Sequence, residues 1–253
     1  MNSIVHPLSC FDPARGLTQL ADKSVNHVIT DPPYEEFVHA PGNRRSYNGG
    51  VIVKPAMPFA AITEAERFAC AHEFVRLSRG WILVFSALEG VAAWQKLLLA
   101  AGARRRTTMV WVKPNVAPKF SGDGPAAAAE AIVAVWAGQE RSIWNCRGMA
   151  GVYRDAAERR YRRHSTQKPA SLMRQLIADF TQPGELILDP FAGGGSTLLA
   201  AAELGRAGLG YEIDPEVAAL AQLTIDHARP HSVLPRASKT PFVTKPRSGC
   251  LRE

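Results

Sequence analysis

The run LILDPFAGGGSTLLAA, Leu186 to Ala201, carries an apolar, strand-like segment into Asp189, across Phe191, Ala192, Gly193, Gly194 and Gly195, and straight into helix-forming residues. A strand that reaches a helix through glycines sets the helix's first backbone N–H groups at the carboxyl end of the strand, and this unit belongs to open, mostly parallel sheets. The rest of the chain alternates in the same way. Strands are expected over Val25–Thr30, Gly80–Phe85, Thr107–Val112, Ala131–Ala137, Glu185–Asp189 and Ala207–Tyr211. Helices are expected from Glu64 to Arg79 behind the capping box Thr63-x-x-Glu66, from Val91 to Ala101, from Pro169 to Phe180 and from Ser196 to Leu204. A last one runs from Pro215 to near His227 with Asp214 as its N-cap. The fold class is therefore α/β, a doubly wound and mostly parallel sheet. The 253 residues, 46% of them hydrophobic, suffice for one domain over residues 1–229. Residues 113–124, rich in proline and glycine, read as a loop. Residues 138–163 show no clean period and are expected outside the sheet, and the basic tail, 230–253, is expected to be disordered.

The strand after the glycine turn ends in Glu212, seventeen residues beyond Gly195. An acid at that spacing suits the two hydroxyls of a ribose, which makes the ligand a nucleoside derivative. Three cofactors compete. A dinucleotide site expects G-x-G-x-x-G, and here Leu198 stands at the last position; a Walker loop needs a lysine that the turn lacks. S-adenosylmethionine has a ribose and no phosphate, so the looser turn suits it.

A second feature lies at the end of the Val25–Thr30 run, where Asp31-Pro32-Pro33-Tyr34 follows directly. Proline fixes its own φ and holds the preceding residue extended, so this is a stiff corner with a carboxylate at a strand end. An exocyclic amine on a nucleobase is a poor nucleophile because its lone pair is delocalised into the ring. The Asp31 carboxylate and the Pro32 carbonyl could each accept one of its N–H groups and turn the lone pair toward a methyl donor. Tyr34 offers a stacking ring, a contact worth about 1–3 kcal/mol. The bland alternative for the corner is a turn that merely ends a strand.

Charge points the same way. Nine basic residues (Arg141, Arg147, Arg154, Arg159, Arg160, Arg162, Arg163, Lys168 and Arg174) lie between positions 141 and 174 against Asp155 and Glu158, a local excess equal to the +7 of the whole chain. Such concentration is the footprint of a polyanion binder, set against the bland reading of a solvated face. Cys10, Cys70, Cys146 and Cys250 lie far apart without a C-x-x-C pair, so no metal site and no disulfide framework is expected. No apolar run of membrane-spanning length and no secretory signal is evident, and the expected location is the cytoplasm.

At these residues the chain resembles the β class of amino-group DNA methyltransferases, the permuted group in which D-P-P-Y precedes the cofactor's F-x-G-x-G turn. Asp31–Tyr34 matches the first motif and Asp189–Thr197 the second. His164–Pro169 (HSTQKP), Gly210–Asp214 (GYEID) and Trp111-x-Lys113 resemble further family elements, and the likeness covers roughly residues 1–229. The resemblance implies a Rossmann-like, circularly permuted class I methyltransferase fold that binds S-adenosylmethionine and methylates double-stranded DNA at a flipped-out base. It implies catalysis by Asp31, Pro32, Pro33 and Tyr34. Cofactor contacts are implied for Ser9, Cys10, Asp31, Thr166, Lys168, Asp189, Phe191, Ala192, Gly193, Gly195, Ser196, Thr197, Glu212 and Asp214. Residues 114–163 correspond to the family's target-recognition insertion. DNA contacts are implied for Lys113 and the arginines 141, 147, 154, 159, 160, 162 and 163. The loop from Glu35 to Pro58, with Arg44, Arg45, Tyr47 and Asn48, is implied to be mobile and to face the DNA. A homodimer and a cognate restriction enzyme are family expectations.

One departure stands out. Where the family has Gly-Asp before the catalytic strand, with the acid on the cofactor's adenine, this chain reads Leu8-Ser9-Cys10-Phe11-Asp12, so Ser9, Cys10 or Asp12 takes that place. Cys10 as a buried small residue is an equal reading, and His164 reads as structural. Aspartate at the first motif position favours adenine N6 as the target, with cytosine N4 as the alternative. An inactive DNA binder or a nicotinamide oxidoreductase are readings of a different class.

Overall fold

The computed structural model describes residues 3–34, 43–45, 51–53, 60–114, 116, 124–146, 148–155, 168–228 and 236. The strands are β1 (Ile4–His6), β2 (His27–Thr30), β3 (Asn43–Arg45), β4 (Val51–Val53), β5 (Trp81–Ser86), β6 (Arg104–Val112), β7 (Ala129–Trp136), β8 (Val152–Arg154), β9 (Leu186–Asp189) and β10 (Ala207–Tyr211). The helices are α1 (Glu64–Leu77), α2 (Val91–Ala100), α3 (Ala170–Phe180), α4 (Ser196–Glu203) and α5 (Pro215–Asp226). Eight strands form one sheet in the order β1-β10-β9-β2-β5-β7-β6-β8, and β3 pairs with β4 as a separate antiparallel ribbon.

The left half of the sheet, β1 to β5, is wholly parallel, and β7 runs antiparallel to both of its neighbours. β2, β5 and most of β7 are buried along their length, because helices cover both faces and a strand buried twice must be apolar at every position. Alternate residues go to opposite sides. Val28, Ile82, Val84, Val133 and Val135 pack under α1 and α2 with Phe74 and Trp94. Ile29, Leu83, Phe85, Ile132 and Ala134 pack under α3 and α4 with Leu176, Ile177 and Ala200.

The observed α1 opens on the expected capping box, with Thr63 and Glu66 exchanging side-chain and backbone hydrogen bonds. α5 opens on Asp214, whose Oδ1 accepts from Glu216 N and Val217 N, with Pro215 in the first turn. One expectation is corrected: residues 138–163 do not all lie outside the sheet, since Val152–Arg154 is the edge strand β8, parallel to β6, and Cys146 and Tyr153 are buried. The strand expected over Ala131–Ala137, within the span read as a recognition insertion, is the buried β7. The loop between Glu35 and Pro58 contains the β3–β4 ribbon. In the basic tail, Arg236 is docked: its Nε donates to Asp179 Oδ2 at 2.8 Å and its guanidinium lies 4.0 Å from the centre of the Tyr153 ring. The other tail residues from 229 onward lie outside the described residues.

Candidate active site

β2, β9 and β10 are adjacent and parallel, so their carboxyl ends open on one edge of the sheet. That edge carries Asp31, Asp189 and Glu212, each at or just beyond a strand's last residue. Asp189 is buried, and its Oδ1 accepts the Thr30 hydroxyl at 2.7 Å and the Phe191 N–H at 3.2 Å. Burial pushes its carboxyl up to about 6, against hydrogen bonds from Thr197 and Thr30 that stabilise the ionised form. Thr30 ties the strand that delivers Asp31 to the strand that delivers the glycine turn.

The turn itself is set by two glycines. Gly193 has φ +49° and Gly195 φ +78°, the left-handed region that L side chains rarely adopt. A Cβ on Gly195 would come within 3.0 Å of Ala221 on α5, whereas a Cβ on Gly193 would meet no atom of the described residues within 4 Å. There is thus open space beside Gly193. Glu212 is fixed next to it: its Oε2 accepts Gly193 N–H and its Oε1 accepts Asp214 N–H, both at 2.9 Å. Each carboxylate oxygen keeps lone-pair capacity for a further donor, such as a ribose hydroxyl. Phe11 and Phe191 meet edge to face at 6.3 Å on the same side and are only partly covered. Phe11 carried no motif and was missed from the sequence.

The D-P-P-Y corner carries a buried charge network. Lys168 Nζ donates to Asp31 Oδ2 at 2.5 Å and lies 3.2 Å from Glu130 Oε2; Tyr34 OH donates to the same Glu130 oxygen at 2.8 Å. Glu130 Oε1 is paired with Lys113. The Lys168 ammonium also stands over the rings of Phe85, Tyr34 and Trp111 at 5.0, 5.4 and 6.0 Å. Burial alone would lower the Lys168 ammonium, but Asp31 and Glu130 raise it, so it stays charged. Burial would raise Glu130, yet Lys168 and Lys113 hold it down to about 2. Burial pushes Asp31 up from the ordinary carboxylate range, opposed by Lys168, and the Tyr34 hydroxyl is pushed up too, so it remains a donor. The other Asp31 oxygen, Oδ1, is buried and has no hydrogen-bond partner among the described residues. A buried acceptor without a donor costs about 1–3 kcal/mol. Its lone pairs are open to a further donor.

The remaining sequence-expected residues fall out as follows. Ala192 N donates to Tyr211 O, and Ser196 and Thr197 are buried in the first turn of α4. Asp214 spends its carboxylate on capping α5. Ser9 Oγ accepts from Phe11 N within its own loop, while Cys10 is buried in the core with Cys70 beside it. Lys168 sits on Asp31, and Lys113 on Glu130 with its ammonium 4.8 Å from the centre of the Trp111 ring. Arg154, exposed, ends β8 on the same edge as Lys113. Arg141 follows the opposite end of β7, beside Glu140, whose carbonyl accepts from Arg104 Nη2 at the start of β6. Thr166, Tyr47, Asn48, Arg147, Arg159, Arg160, Arg162, Arg163 and His164 lie outside the described residues, as do the side chains of Arg44 and Arg45. Glu130 was missed: nothing local in AEAIVAVW marks it apart from one acid in an apolar strand.

Comparison with known proteins bears on this geometry. The family profile N6_N4_Mtase, described as DNA methylase, matches residues 25–223. The Type II methyltransferase M.HinfI of Haemophilus influenzae is 24% identical over 259 residues, spanning 91% of this chain and 71% of that protein. Among solved structures, the M1.HpyAVI-SAM complex superposes with a TM-score of 0.67 at 20% identity, covering 88% of this chain and 99% of that one. The PvuII cytosine-N4-specific DNA methyltransferase superposes with a TM-score of 0.63 at 16% identity, covering 89% and 86%.

Proposed function

The chain belongs to the DNA methylase family whose profile spans residues 25–223, and from that membership we propose that it transfers a methyl group from S-adenosylmethionine to the exocyclic N6 of adenine in double-stranded DNA. The fold is the doubly wound one of class I methyltransferases. The observation that carries the reading is the Asp31 carboxylate: one oxygen committed to Lys168, the other buried and unpartnered among the described residues, at the strand edge shared with the glycine turn.

The residues present fit the cofactor. Glu212, held by two backbone N–H groups, would take the ribose hydroxyls, the space beside Gly193 admits close approach, and Phe11 with Phe191 would flank the adenine ring. When bound, S-adenosylmethionine supplies an electrophilic methyl on sulfonium sulfur. The protein's part is positioning and charge. Asp31 Oδ1 and the Pro32 carbonyl each accept one N–H of the amine, so that its lone pair leaves the plane of the ring. On transfer the N–C bond would form as the cofactor's S–CH3 bond breaks, leaving a neutral thioether, and the positive charge would pass to the nitrogen beside the Asp31 carboxylate. The carboxylate, pushed up by burial, then takes the surplus proton. Tyr34 stacks on the base, which must be flipped from the duplex to reach this depth. Lys113 and Arg154 frame the same edge for the DNA backbone.

No described helix is long and apolar enough to cross a membrane; a cytoplasmic setting, a homodimer and a cognate restriction enzyme follow the family resemblance. Incubation with S-adenosylmethionine and DNA, digestion and mass-spectrometric counting of modified nucleosides tests the reading. N6-methyladenine is expected. N4-methylcytosine alone would transfer the account to the cytosine alternative, and neither product would overturn it.

A further inference from the structure

Glu130 lies on β7, outside every motif read from the sequence, yet three of the site's side chains converge on it. Its Oε2 accepts the Tyr34 hydroxyl at 2.8 Å and faces Lys168 Nζ at 3.2 Å, while Oε1 is paired with Lys113. We propose that Glu130 is a positioning residue for methyl transfer: it anchors Lys168 and the Tyr34 ring, so that Asp31 Oδ2 stays committed and Asp31 Oδ1 stays free for the base's amine. The inference rests on the methyl-transfer reading given above.

The physical reason is a balanced set of buried charges. Asp31 and Glu130 are set against Lys168 and Lys113, and the two pairs meet at the Lys168 ammonium. An ammonium on a flexible stem turns toward whatever acceptors remain. Without the negative charge of Glu130, Asp31 is the one anion left facing Lys168 among the described residues, the Tyr34 hydroxyl at 3.4 Å being a neutral acceptor, and Lys168 would share both Asp31 oxygens, which removes the acceptor meant for substrate. The Tyr34 hydroxyl would also lose its charged acceptor and the ring its fixed plane. Loss of Glu130 therefore strikes the orientation of the amine rather than the cofactor pocket, which lies at β9 and β10.

The charge also shows in pH dependence. The groups facing Asp31 are Lys168 from the segment before α3, Glu130 from β7, Tyr34 from its own loop and Asp189 from β9, with Lys113 behind Glu130. Among them Glu130 opposes ionisation of Asp31, Lys168 and the Tyr34 hydroxyl favour it, and Asp189 is itself pushed up by Asp31. Removing the charge of Glu130 leaves Lys168 dominant, so Asp31 stays ionised to lower pH.

The test is single-turnover methyl transfer to duplex DNA by wild-type chain, Glu130→Gln, Tyr34→Phe and the double variant, between about pH 5 and 9. For Glu130→Gln the rate is expected to fall on the order of tenfold with cofactor affinity within about threefold of wild type. Its acidic limb should move to lower pH. Tyr34→Phe alone should lose a few-fold in rate and add little on top of Glu130→Gln. A Glu130→Gln rate and acidic limb equal to wild type would overturn the proposal, as would a loss that only tracks the folded fraction with the limb unmoved. Where Glu130→Gln does not fold, Tyr34→Phe decides: a wild-type rate overturns the proposal and a slower one with intact cofactor binding supports it. Absence of transfer by wild-type protein would overturn both this inference and the reading beneath it, whereas an active wild type with an indifferent Glu130 sinks the inference alone.

Discussion

Asp189 shows at residue scale how the site stores free energy. Its carboxyl stands at about 6 in the fold against an ordinary 3.8, so the neutral form is the one that folding favours. That contribution is complete below about pH 4 and is lost as pH rises through about 6, an effect of roughly 2–3 kcal/mol at most. Asp189→Asn keeps an oxygen for the Thr30 hydroxyl and cannot ionise. It is expected to melt roughly 4–8 °C higher than wild type at about pH 7.5, with the gap closing toward pH 4. The same variant should bind S-adenosylmethionine more weakly; calorimetric melting and a titration read the two effects. An unchanged melting temperature at neutral pH would show that the burial of Asp189 costs nothing. The strand-end placement of Asp31, Asp189 and Glu212 was legible in the sequence because each follows a contiguous apolar run. Glu130, 99 positions after Asp31, was not legible, because only the pairing of β7 beside β5 brings it to Tyr34 and Lys168.

At the scale of elements, the glycine turn separates two roles that look alike in sequence. Gly195 needs both its left-handed backbone and its missing side chain, since α5 packs against it. Gly195→Ala is expected to cost more than about 2 kcal/mol in urea unfolding. Gly193 has positive φ but open space above it, so Gly193→Ala should cost only about 1 kcal/mol while weakening cofactor binding at least about tenfold. Equal stability losses with equal binding would contradict this division. The strands and helices with strong local signals stand within a residue or two of expectation, as the capped α1 and α5 do, except β6, which begins three residues before Thr107. β1 and β8, three residues each, are too short for any periodicity to register. The reversal of β7 was also invisible, because a buried strand reads as a plain apolar run whichever way it points.

Across the whole molecule, Arg236, far along the sequence, docks beside the edge strand β8. Asp179 is fully buried and accepts from Tyr153 OH, Gln175 Nε2, and the backbone and guanidinium of Arg236. Deleting the cationic partner of a buried carboxylate costs about 3–5 kcal/mol when nothing replaces it. Three neutral donors remain here, the Tyr153 hydroxyl, the Gln175 amide and the backbone N–H of residue 236, so Arg236→Ala is expected to lose roughly 2 kcal/mol in urea unfolding without changing the methylation rate. Composition alone suggested a disordered tail, since a basic, proline-rich segment gives no sign of one buried acid awaiting it. Clustered charge likewise did not say which edge it would occupy: Arg154 and Arg141 sit at opposite ends of the sheet because β7 turns the chain around. At the carboxyl ends of the parallel strands Asp31, Asp189 and Glu212 gather beside the glycine turn, where the cofactor is proposed to bind. The direct test is single-turnover transfer of labelled methyl to duplex DNA by wild type and Asp31→Ala, with cofactor affinity measured on both. The expected result is a rate lower by at least about a thousandfold with affinity within about threefold; an Asp31→Ala rate within about tenfold of wild type would contradict the account.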